Sequence, residues 1–596
     1  NNNSTNESWA TERTYYIANE YRGYDFNSVT PTSAEFKAAQ LPFGGILYTN
    51  DNNQYSYNIQ NKLQFSKAFN PDNRLNALLG MELRSSTAKG TANKVWGYVP
   101  DRGERIVAPT IPSEVITPNN PPTGWGILGD IYSRGWQRTD NTNNFLSFFA
   151  TFAYSFKNRY VVNANVRNDA SNVFGQDINH RIDPTYSFGL SWRASEEAFF
   201  QKHLKWITTL NFRGTFGIQG NALTRESPEL ILSQQGVQPG YNRYFSTIGQ
   251  IPNPYLSWER TRNWNFGVDL ELFRMFYMNL EYYTRRSNAV ITVDLPFEYG
   301  IDDMKRNGGI IYNRGIEYTL SFTPIQKRDF SLNINLNASK NWNKGGETKI
   351  DRNTAMYLRG GSTQILKEGY PLSAFWSYSF AGLDGSNGKP MFNYVEVPDE
   401  EKSKSIDPTT YLVYSGETEP YFTGGLGFSF RYKSLSLNTS FSLLLGSKKR
   451  LPSPYSDFQG SGSMMPDPTK NVNRDLLNRW QKPGDEVYTN IPGLPTWPIE
   501  IGWTLPNTDS AESAIEMWEK SDAMVVSGSF LRCRNIGLSW QMKKEWCDKI
   551  HAKNLAINFN MDNIFVIASK RFNGFDPELE NSIMPRSFSL GLNIGF

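Results

Sequence analysis

The 596-residue chain contains only two cysteines and three histidines. Cys533 lies in a stretch with strand-like alternation and Cys547 in a later turn, so about eight residues of strand at ~3.3 Å each separate them. That distance exceeds the reach of a disulfide, and we expect two free thiols. The histidines, His180, His203 and His551, are scattered, and no cysteine or histidine spacing indicates a zinc site.

The chain also lacks a long apolar run and an excess of charge of either sign. No stretch approaches the ~20 apolar residues of a transmembrane helix. The 61 basic and 58 acidic residues leave a net charge of +3, which does not indicate a nucleic-acid partner. No nucleophile with its base, paired carboxylates or ligand cluster indicates catalysis, a cofactor or a metal. We therefore expect a binding or transport protein rather than an enzyme.

Aromatic residues and period-two alternation are abundant instead. Aromatics make up 14% of the chain, and the last eleven residues, RSFSLGLNIGF, place an apolar side chain on every second position from Phe588 to Phe596. This pattern predicts a strand with one apolar face and one small or polar face. We expect it to close onto earlier strands as a barrel, with the last strand of a soluble sandwich as the alternative. Phe596 itself resembles the terminal signal that outer-membrane barrels present to their assembly machinery.

About fifteen such strands follow one another, and the connections between them are alternately short and long. The longest connections are predicted at 85–143, 219–258, 338–421 and 446–528. Antiparallel strands with this alternation place every short turn at one end and every long loop at the other, as transmembrane barrels do. Most predicted strands run about 10–14 residues, enough to cross a bilayer at a tilt. We therefore predict an all-β fold, a transmembrane antiparallel β-barrel of roughly 15–17 strands that forms a single domain over residues 1–596.

The start of the chain gives a weaker signal. Residues 1–50 are polar and irregular, with a hint of one strand at Tyr15, Ile17 and Phe26. No methionine or signal peptide opens the sequence, which indicates a mature or truncated piece.

One long connection contains a glycine-rich stretch, LDGSNGKP (383–390). It lacks the regular acidic positions of a calcium-binding loop, and a tight hairpin turn is favoured. The flanking residues predict an extra strand pair at about 375–380 and 391–394.

Large aromatic side chains fall in the predicted long loops, where exposure to water is unfavourable. They are Trp96, Tyr98, Trp125, Trp136, Tyr455, Phe458, Trp480, Trp497 and Trp503. They must pack on one another, on a partner or on a ligand, and packing is the favoured role for any one of them. As candidates for substrate contact we select Trp125, Trp136, Tyr455, Trp480 and Trp497, because sugar faces and peptide side chains both suit aromatic platforms.

Several stretches, in this order and spacing, resemble SusC/RagA-type TonB-dependent outer-membrane transporters of Bacteroidota. They are YSFKNRYVVNANVRNDASNVFG (154–175), YSFGLSWRASEEAFF (186–200), LNFRGTFGIQGN (210–221), IPNPYLSWERTRNWNFGVDLELF (251–273), YNRGIEYTL (312–320), LLNRWQKPGD (476–485), SFLRCRNIGLSW (529–540) and NIFVIASKRFNGFDPE (563–578). Each stretch alone is weak evidence, whereas the ordered set covers nearly the whole chain.

The resemblance implies a 22-stranded barrel in the outer membrane of a Gram-negative bacterium, with lipid around it and a plug domain in its lumen. It also implies a TonB box that couples to the TonB–ExbB–ExbD motor and a SusD-like surface lipoprotein that covers the long loops. The plug, the TonB box and the first strands match nothing here, so the chain corresponds to the C-terminal part of such a transporter. Arg532 and Arg534 alternate with Cys533 and Asn535, and we expect them either to face the plug or to form salt bridges within the wall.

The function implied by the resemblance is import of oligosaccharides or peptides. A TonB-dependent receptor for an iron chelate or cobalamin is one alternative, and a non-transporting barrel, such as an adhesin or a secretion component, is another. A surface glycanase would require paired carboxylates in a cleft, about 5–10 Å apart.

Overall fold

A computed structural model describes most of the chain. The described residues are 2–11, 13–14, 17, 30, 32–34, 44–107, 136–172, 182–221, 229–238, 243–295, 297–301, 303–347, 355–360, 366–393, 408–455, 471–494, 501–503, 512–579 and 582–596.

One large antiparallel sheet dominates the described part of the chain. It has 17 strands, of which one is the two-residue strand Arg105–Ile106 and the other 16 form a continuous wall. The wall strands are β1 (Asn2–Ala10), β2 (Gly45–Asn70), β3 (Asn73–Val99), β4 (Trp136–Phe156), β5 (Tyr160–Ser171), β6 (Ile182–Arg193), β7 (Ile207–Asn221), β8 (Glu259–Leu272), β9 (Phe276–Asp294), β10 (Asp303–Gln326), β11 (Phe330–Gly345), β12 (Phe422–Tyr432), β13 (Leu435–Leu445), β14 (Phe530–Gln541), β15 (Asn554–Ile567) and β16 (Ser587–Gly595).

Each wall strand pairs antiparallel with the next one along the chain, from β1 to β16. The prediction of an all-β antiparallel wall with 15–17 strands is confirmed. Within the described residues, β1 and β16 are the two edges, and no pairing joins them. Strands beyond these two edges would be required to close a barrel of 22 strands.

The alternation of connections is also confirmed. One end of the wall carries the connections 71–72, 157–159, 194–206, 273–275, 327–329, 433–434 and 542–553, and the other end carries 11–44, 100–135, 172–181, 222–258, 295–302, 346–421, 446–529 and 568–586. The alternation is less strict in length than expected, because the 194–206 connection is longer than the 295–302 connection. Strands β9 and β10 are long, so residues that would otherwise form a longer loop between them belong to the strands instead.

The prediction of a loop over 85–143 is wrong at both of its ends. Strand β3 continues to Val99, and β4 begins at Trp136, which pairs with Asn93. These extensions are rich in Thr, Asn, Gly and Lys, so they carry no apolar alternation that sequence reading could detect. The strand Asn2–Ala10 was missed for the same reason.

The strand suggested near the start of the chain falls mostly outside the described residues, including Tyr15 and Phe26. Ile17 is described, and it is fully buried against Ile46 and Trp96.

One face of the wall is apolar and exposed. In β16, Phe588 is 62% exposed and Leu590 is 76% exposed, and in β6 Leu190 is 51% exposed. The register places Phe188 beside Ala164 on one side and Phe216 on the other, so apolar residues continue from strand to strand. A band of large apolar side chains on the outside of a sheet has the composition expected of a lipid-facing surface.

The opposite face, here called the inner face, is polar and partly charged. Arg213 Nη2 lies 3.3 Å from Asp269 Oδ1 and 2.9 Å from Glu281 Oε1, joining β7, β8 and β9. Arg167 Nε lies 2.8 Å from Asp169 Oδ1. An apolar outer face and a hydrogen-bonded polar inner face are the arrangement of a water-facing lumen inside a membrane wall.

The remaining elements are short. The described α-helices are Ala198–His203, Ala355–Leu358, Ala514–Glu519 and Lys544–Lys549. The described 3₁₀ helices are Pro100–Arg102, Ala194–Glu196, Phe297–Tyr299, Pro408–Thr410, Arg474–Asn478, Asp485–Val487, Asp522–Met524 and Lys570–Phe572. The small paired strands are Ile231–Gln238 with Arg243–Gln250, Ala374–Tyr378 with Leu412–Glu417, Phe380–Leu383 with Pro390–Phe392, Lys448–Arg450 with Val525–Ser527, and Ile501–Trp503 with Glu512–Ser513. None of the helices in the described ranges has both the length and the apolar character to cross a bilayer.

Both cysteines are buried free thiols, as predicted. Cys547 lies in the helix Lys544–Lys549 rather than in a turn.

Candidate functional site

Three long connections, 346–421, 446–529 and 568–586, fold together at the long-connection end of the wall, and we call their described residues the loop body. Most of the fully buried large side chains of the described chain lie here rather than in the wall. A wall with lipid on one side and a lumen on the other has little interior, whereas the loop body is globular and has a hydrophobic core.

The first cluster of this core lies between the connections 346–421 and 446–529. Leu358, Trp376, Tyr378 and Leu412 pack against Met517 of the helix Ala514–Glu519. The second cluster lies beside it, where Phe380 and Phe392 pack on a group formed by Tyr455, Leu476, Ile515, Trp518 and Met524. Because each cluster draws on both connections, neither connection can move far without exposing apolar surface.

Polar contacts add to this packing. Arg450 Nη1 donates to the carbonyl of Arg359 at 2.5 Å, and Arg450 Nη2 donates to the carbonyl of Trp376 at 2.6 Å. Its guanidinium also lies 4.9 Å from the centre of the Phe375 ring. Burial, together with the neighbouring Arg359 charge, lowers the pKa of Arg450 to about 10. The arginine therefore joins two connections at the expense of its own hydration.

The third connection is attached by a buried ion pair. Arg532 of β14 is 2% exposed, and its Nη2 lies 2.7 Å from both carboxylate oxygens of Asp576. Arg534 Nη2 donates to Glu578 Oε1 at 3.0 Å. Glu578 Oε2 lies 2.9 Å from Arg532 Nη2 and has no hydrogen-bond partner among the described residues, so that contact is an ion pair.

The same connection also contacts its neighbour. Arg571 donates from Nη1 to the carbonyl of Val525 at 2.8 Å and from Nη2 to the carbonyl of Ala523. Asn573 Nδ2 donates to Asp475. These contacts combine the three connections into one body.

The two arginines selected from the sequence thus have partners within the chain. The register shifts between Cys533 and Asn535, and this bulge lets both Arg532 and Arg534 reach the inner side of the wall. Their partners Asp576 and Glu578 lie in the last of the family-like stretches. Of the two roles expected, salt bridges form, but with the connection 568–586 rather than within the wall, and contact with a plug stays a prediction.

The aromatic residues selected from the sequence lie in different environments. Tyr455 is 1% exposed, and its hydroxyl donates to the carbonyl of Pro492. Its ring lies 6.1 Å from that of Trp518, edge to face, and burial raises its pKa. Tyr455 therefore packs inside the loop body and presents no surface to a substrate in this structure.

Trp480 is half-buried and held by its surroundings. The indole Nε1 donates to Glu486 Oε2 at 3.1 Å. A Cβ on Gly388, whose φ is +72°, would lie 2.4 Å from the Trp480 ring, so the ring packs directly on backbone. Hydrogen bonds from its own backbone amide and from the Trp480 indole hold the pKa of Glu486 below its usual value.

Two aromatics expected in loops lie in a strand instead. Trp96 and Tyr98 belong to β3 and are buried, 4% and 7% exposed. Trp136 is the first residue of β4 and not a loop residue, and its side chain lies outside the described part. Trp503 ends a short strand, and its side chain is likewise outside the description. Trp125, Trp497 and Phe458 lie outside the described residues.

Some notable residues were not selected from the sequence. Tyr414 is 45% exposed, and its ring lies 5.4 Å from Trp376 and 5.2 Å from Tyr370. Tyr488 is 89% exposed on the same loop body. No local pattern marks these residues, because their arrangement depends on contacts between distant segments.

The glycine-rich stretch forms the hairpin that was predicted. Phe380–Leu383 pairs with Pro390–Phe392, and Asp384 Oδ1 accepts from the Ser386 backbone and hydroxyl at 2.8 and 2.7 Å. These bonds, the backbone one first, lower the pKa of Asp384. The strand pair expected at 375–380 and 391–394 is shifted, because residues 374–378 pair with 412–417 instead. In the described ranges, no three His, Cys, Asp or Glu side chains meet as a metal site.

A wall with an apolar outer face, a polar inner face and long connections folded over one end is that of a transmembrane β-barrel. Comparison with known families agrees. Residues 1–446 match the family model described as TonB dependent receptor-like, beta-barrel. The chain belongs to this family, whose barrels lie in the outer membrane of Gram-negative bacteria.

Individual relatives are consistent with the SusC/RagA type. TonB-dependent receptor SusC of Bacteroides thetaiotaomicron is 25% identical over 486 residues, covering 76% of this chain and 44% of the relative. TonB-dependent receptor P26 of Formosa agariphila is 24% identical over 585 residues, covering 91% and 53%. The chain spans about half the length of the curated relatives it matches.

Among solved structures, the RagAB peptide transporter superposes with a TM-score of 0.70. Its sequence identity is 20%, and the superposition covers 93% of this chain and 56% of that chain. At this identity the likeness concerns the fold.

Proposed function

We propose that this chain is the barrel part of a TonB-dependent importer that carries oligosaccharides or peptides across the outer membrane. The observation that carries the proposal is the loop body, in which three long connections are already packed together at one end of the lumen. Binding surfaces on rigid supports lose less conformational freedom when they capture a ligand. The comparisons support the same reading, since one relative is the TonB-dependent receptor SusC and one structural neighbour is the RagAB peptide transporter.

The remaining parts of the importer belong to the same proposal. A plug would fill the lumen, and a TonB–ExbB–ExbD motor would act on it through a TonB box. A SusD-like lipoprotein would cover the loop body and enclose the substrate against it. Residues 1–596 would form one barrel domain of this importer, and the further strands of the barrel would lie outside the described wall.

Substrate contact is proposed for aromatic residues in or next to the long connections, with the buried Tyr455 excepted. Trp480 remains a candidate because its ring is only half-buried, and Trp125, Trp136 and Trp497 remain candidates from the sequence. Tyr414 joins them, since an exposed ring supported by two other rings suits a sugar face or an apolar peptide side chain.

Growth of a deletion strain tests the function. Cells lacking the gene should lose growth on one class of glycan or peptide as sole source, and the complete gene should restore it. A matched allele without its TonB box should not restore growth, because import then lacks its energy source. Unchanged growth on all glycans and peptides, with loss on ferric chelates or cobalamin instead, would contradict the proposal.

Purification of the complete protein from the native membrane tests the lid. We expect a surface lipoprotein to co-purify in a fixed ratio. A protein that purifies alone and imports a small chelate would support the lidless alternative.

A further inference from the structure

The inner face of the wall is divided into two parts of different chemistry. On β5 to β9 its charged side chains form ion networks across strands. On β11 to β16 it consists, in the membrane-spanning middle, of Asn, Ser, Thr, Gly and Ala. From Ser331 to Asn343 every inward residue of β11 is Ser or Asn.

The charged part is bonded internally. Arg213 bridges Asp269 and Glu281, and Asn279 donates to Asp269 Oδ1 at 2.8 Å. Arg167 pairs with Asp169 of its own strand at 2.8 Å and reaches Glu82 of β3 at 3.2 Å, so the network extends beyond this part on that side. Hydrogen bonds that involve an ionised partner are about twice as strong as neutral ones, so a surface docked on these networks would be held firmly.

The neutral part is a set of amides and hydroxyls in mutual contact. Ser339 and Thr423 share a hydrogen bond of 2.8 Å, Ser539 Oγ donates to Asn558 Oδ1 at 2.6 Å, and Asn333 Nδ2 donates to Thr323 Oγ1 of the adjoining β10 at 2.8 Å. Each asparagine amide both donates and accepts, so it can exchange its partner for water, a sugar hydroxyl or a peptide group.

Charge returns only at the two ends of this neutral part. Of the described inward residues on β11 to β16, Arg431 lies at the short-connection end, and Arg532, Arg534 and Asp562 lie at the other. The middle is open at Gly427 and Gly591, where an added Cβ would meet no atom nearer than 3.8 and 4.0 Å, whereas at Gly537 it would lie 2.8 Å from Asn560 Oδ1.

We propose that the translocated substrate passes along the neutral part of the inner face, β11 to β16, while the plug stays docked on the charged part, β5 to β9. This inference rests on the proposed import function and adds the side of the wall where the path opens. A path must bind its cargo at several weak sites, so that the cargo can enter and also leave. Neutral amides and hydroxyls meet that requirement for oligosaccharides and peptides alike.

Cysteine labelling in the complete transporter tests the path without knowledge of the substrate. Ser440→Cys on β13 and Ser187→Cys on β6 form a matched pair, because both serines point inward and are half-buried. The native thiols are buried and give little background. In cells with an active motor, relative to cells treated with an uncoupler, we expect labelling by an impermeant maleimide to rise about fivefold or more at residue 440 and less than twofold at residue 187. Equal rises, a larger rise at 187, or no rise at 440 would overturn the proposal.

Uptake measurements provide the second arm. Gly427→Trp should lower the rate of energised uptake about tenfold or more while leaving substrate binding at the cell surface unchanged. Gly427→Ala, whose Cβ would meet no atom nearer than 3.8 Å, should remain within twofold of wild type. Heat-resistant migration of both variants checks that the barrels are folded. Equal uptake by the two variants would overturn the path, whereas a wild-type transporter that takes up neither glycans nor peptides would overturn the proposed function itself.

Discussion

Replacing Arg532 by methionine should release the connection 568–586 from the loop body. Arg532 is 2% exposed, and its partner Asp576 is 4% exposed, so the substitution leaves a carboxylate buried with its main partner gone. Removing one member of a buried ion pair costs about 3–5 kcal/mol. At about 1.4 kcal/mol for each tenfold change, local opening of this connection becomes at least about 100-fold more frequent.

Hydrogen exchange of backbone amides measures this opening. The amide of Phe575 donates to the carbonyl of Phe572 at 2.9 Å, and the amide of Asp576 donates to the carbonyl of Ser582 at 2.9 Å. In the complete transporter, protection at both amides should fall about 100-fold in Arg532→Met, with exchange in the middle of β15 unchanged. The fall should persist at high salt, because buried charges are weakly screened.

The control substitution lies in the same connection, 568–586. Lys570→Met also removes a positive charge but from an exposed side chain, and protection should stay within about threefold of wild type. The double variant Arg532→Met with Asp576→Asn should recover part of the loss, because the unpaired buried charge is then removed. Protection in Arg532→Met equal to that in Lys570→Met would refute the reasoning.

Three further predictions each concern one residue and its surroundings. Leu590→Arg on the lipid face should destabilise the folded barrel by about 2–4 kcal/mol in a lipid refolding assay, whereas Ser589→Arg on the inner face should change stability far less. Gly388→Ala, at a φ of +72° and against the Trp480 ring, should cost about 1–3 kcal/mol and shift the tryptophan emission to the red. Burial raises the pKa of Glu519, so this carboxyl destabilises the loop body increasingly as pH rises above about 4.5. Glu519→Gln should therefore raise the melting temperature at pH 7.5, with a smaller gain at pH 4.5.

The membrane-spanning middle of each strand was predictable, because one face meets lipid and the other does not. Phe588 to Phe596 shows the reason: an apolar side chain is required at every second position, and that period is visible in the sequence. The same logic fails above the membrane. Where β3 carries Thr91 and Asn93, both faces are polar, and nothing in the sequence distinguishes such a strand from a loop.

The loop body was not predictable by pattern, because its core joins segments far apart in the chain. Tyr455 and Trp480 show the difficulty, since both are loop aromatics, yet one is buried on Trp518 and the other is half-buried on Gly388. The partner of Arg532 is 44 residues away, and only the resemblance to a known family placed Asp576 in a stretch of interest.

The central claim is that the face carrying Phe588 and Leu590 meets lipid while the loop body stands at one end of the lumen. A density map of the complete protein in a lipid nanodisc tests it most directly. The account predicts a lipid belt around that face and the loop body outside the belt on a single side. An apolar face covered by another sheet, or long connections emerging on both sides of the belt, would contradict it.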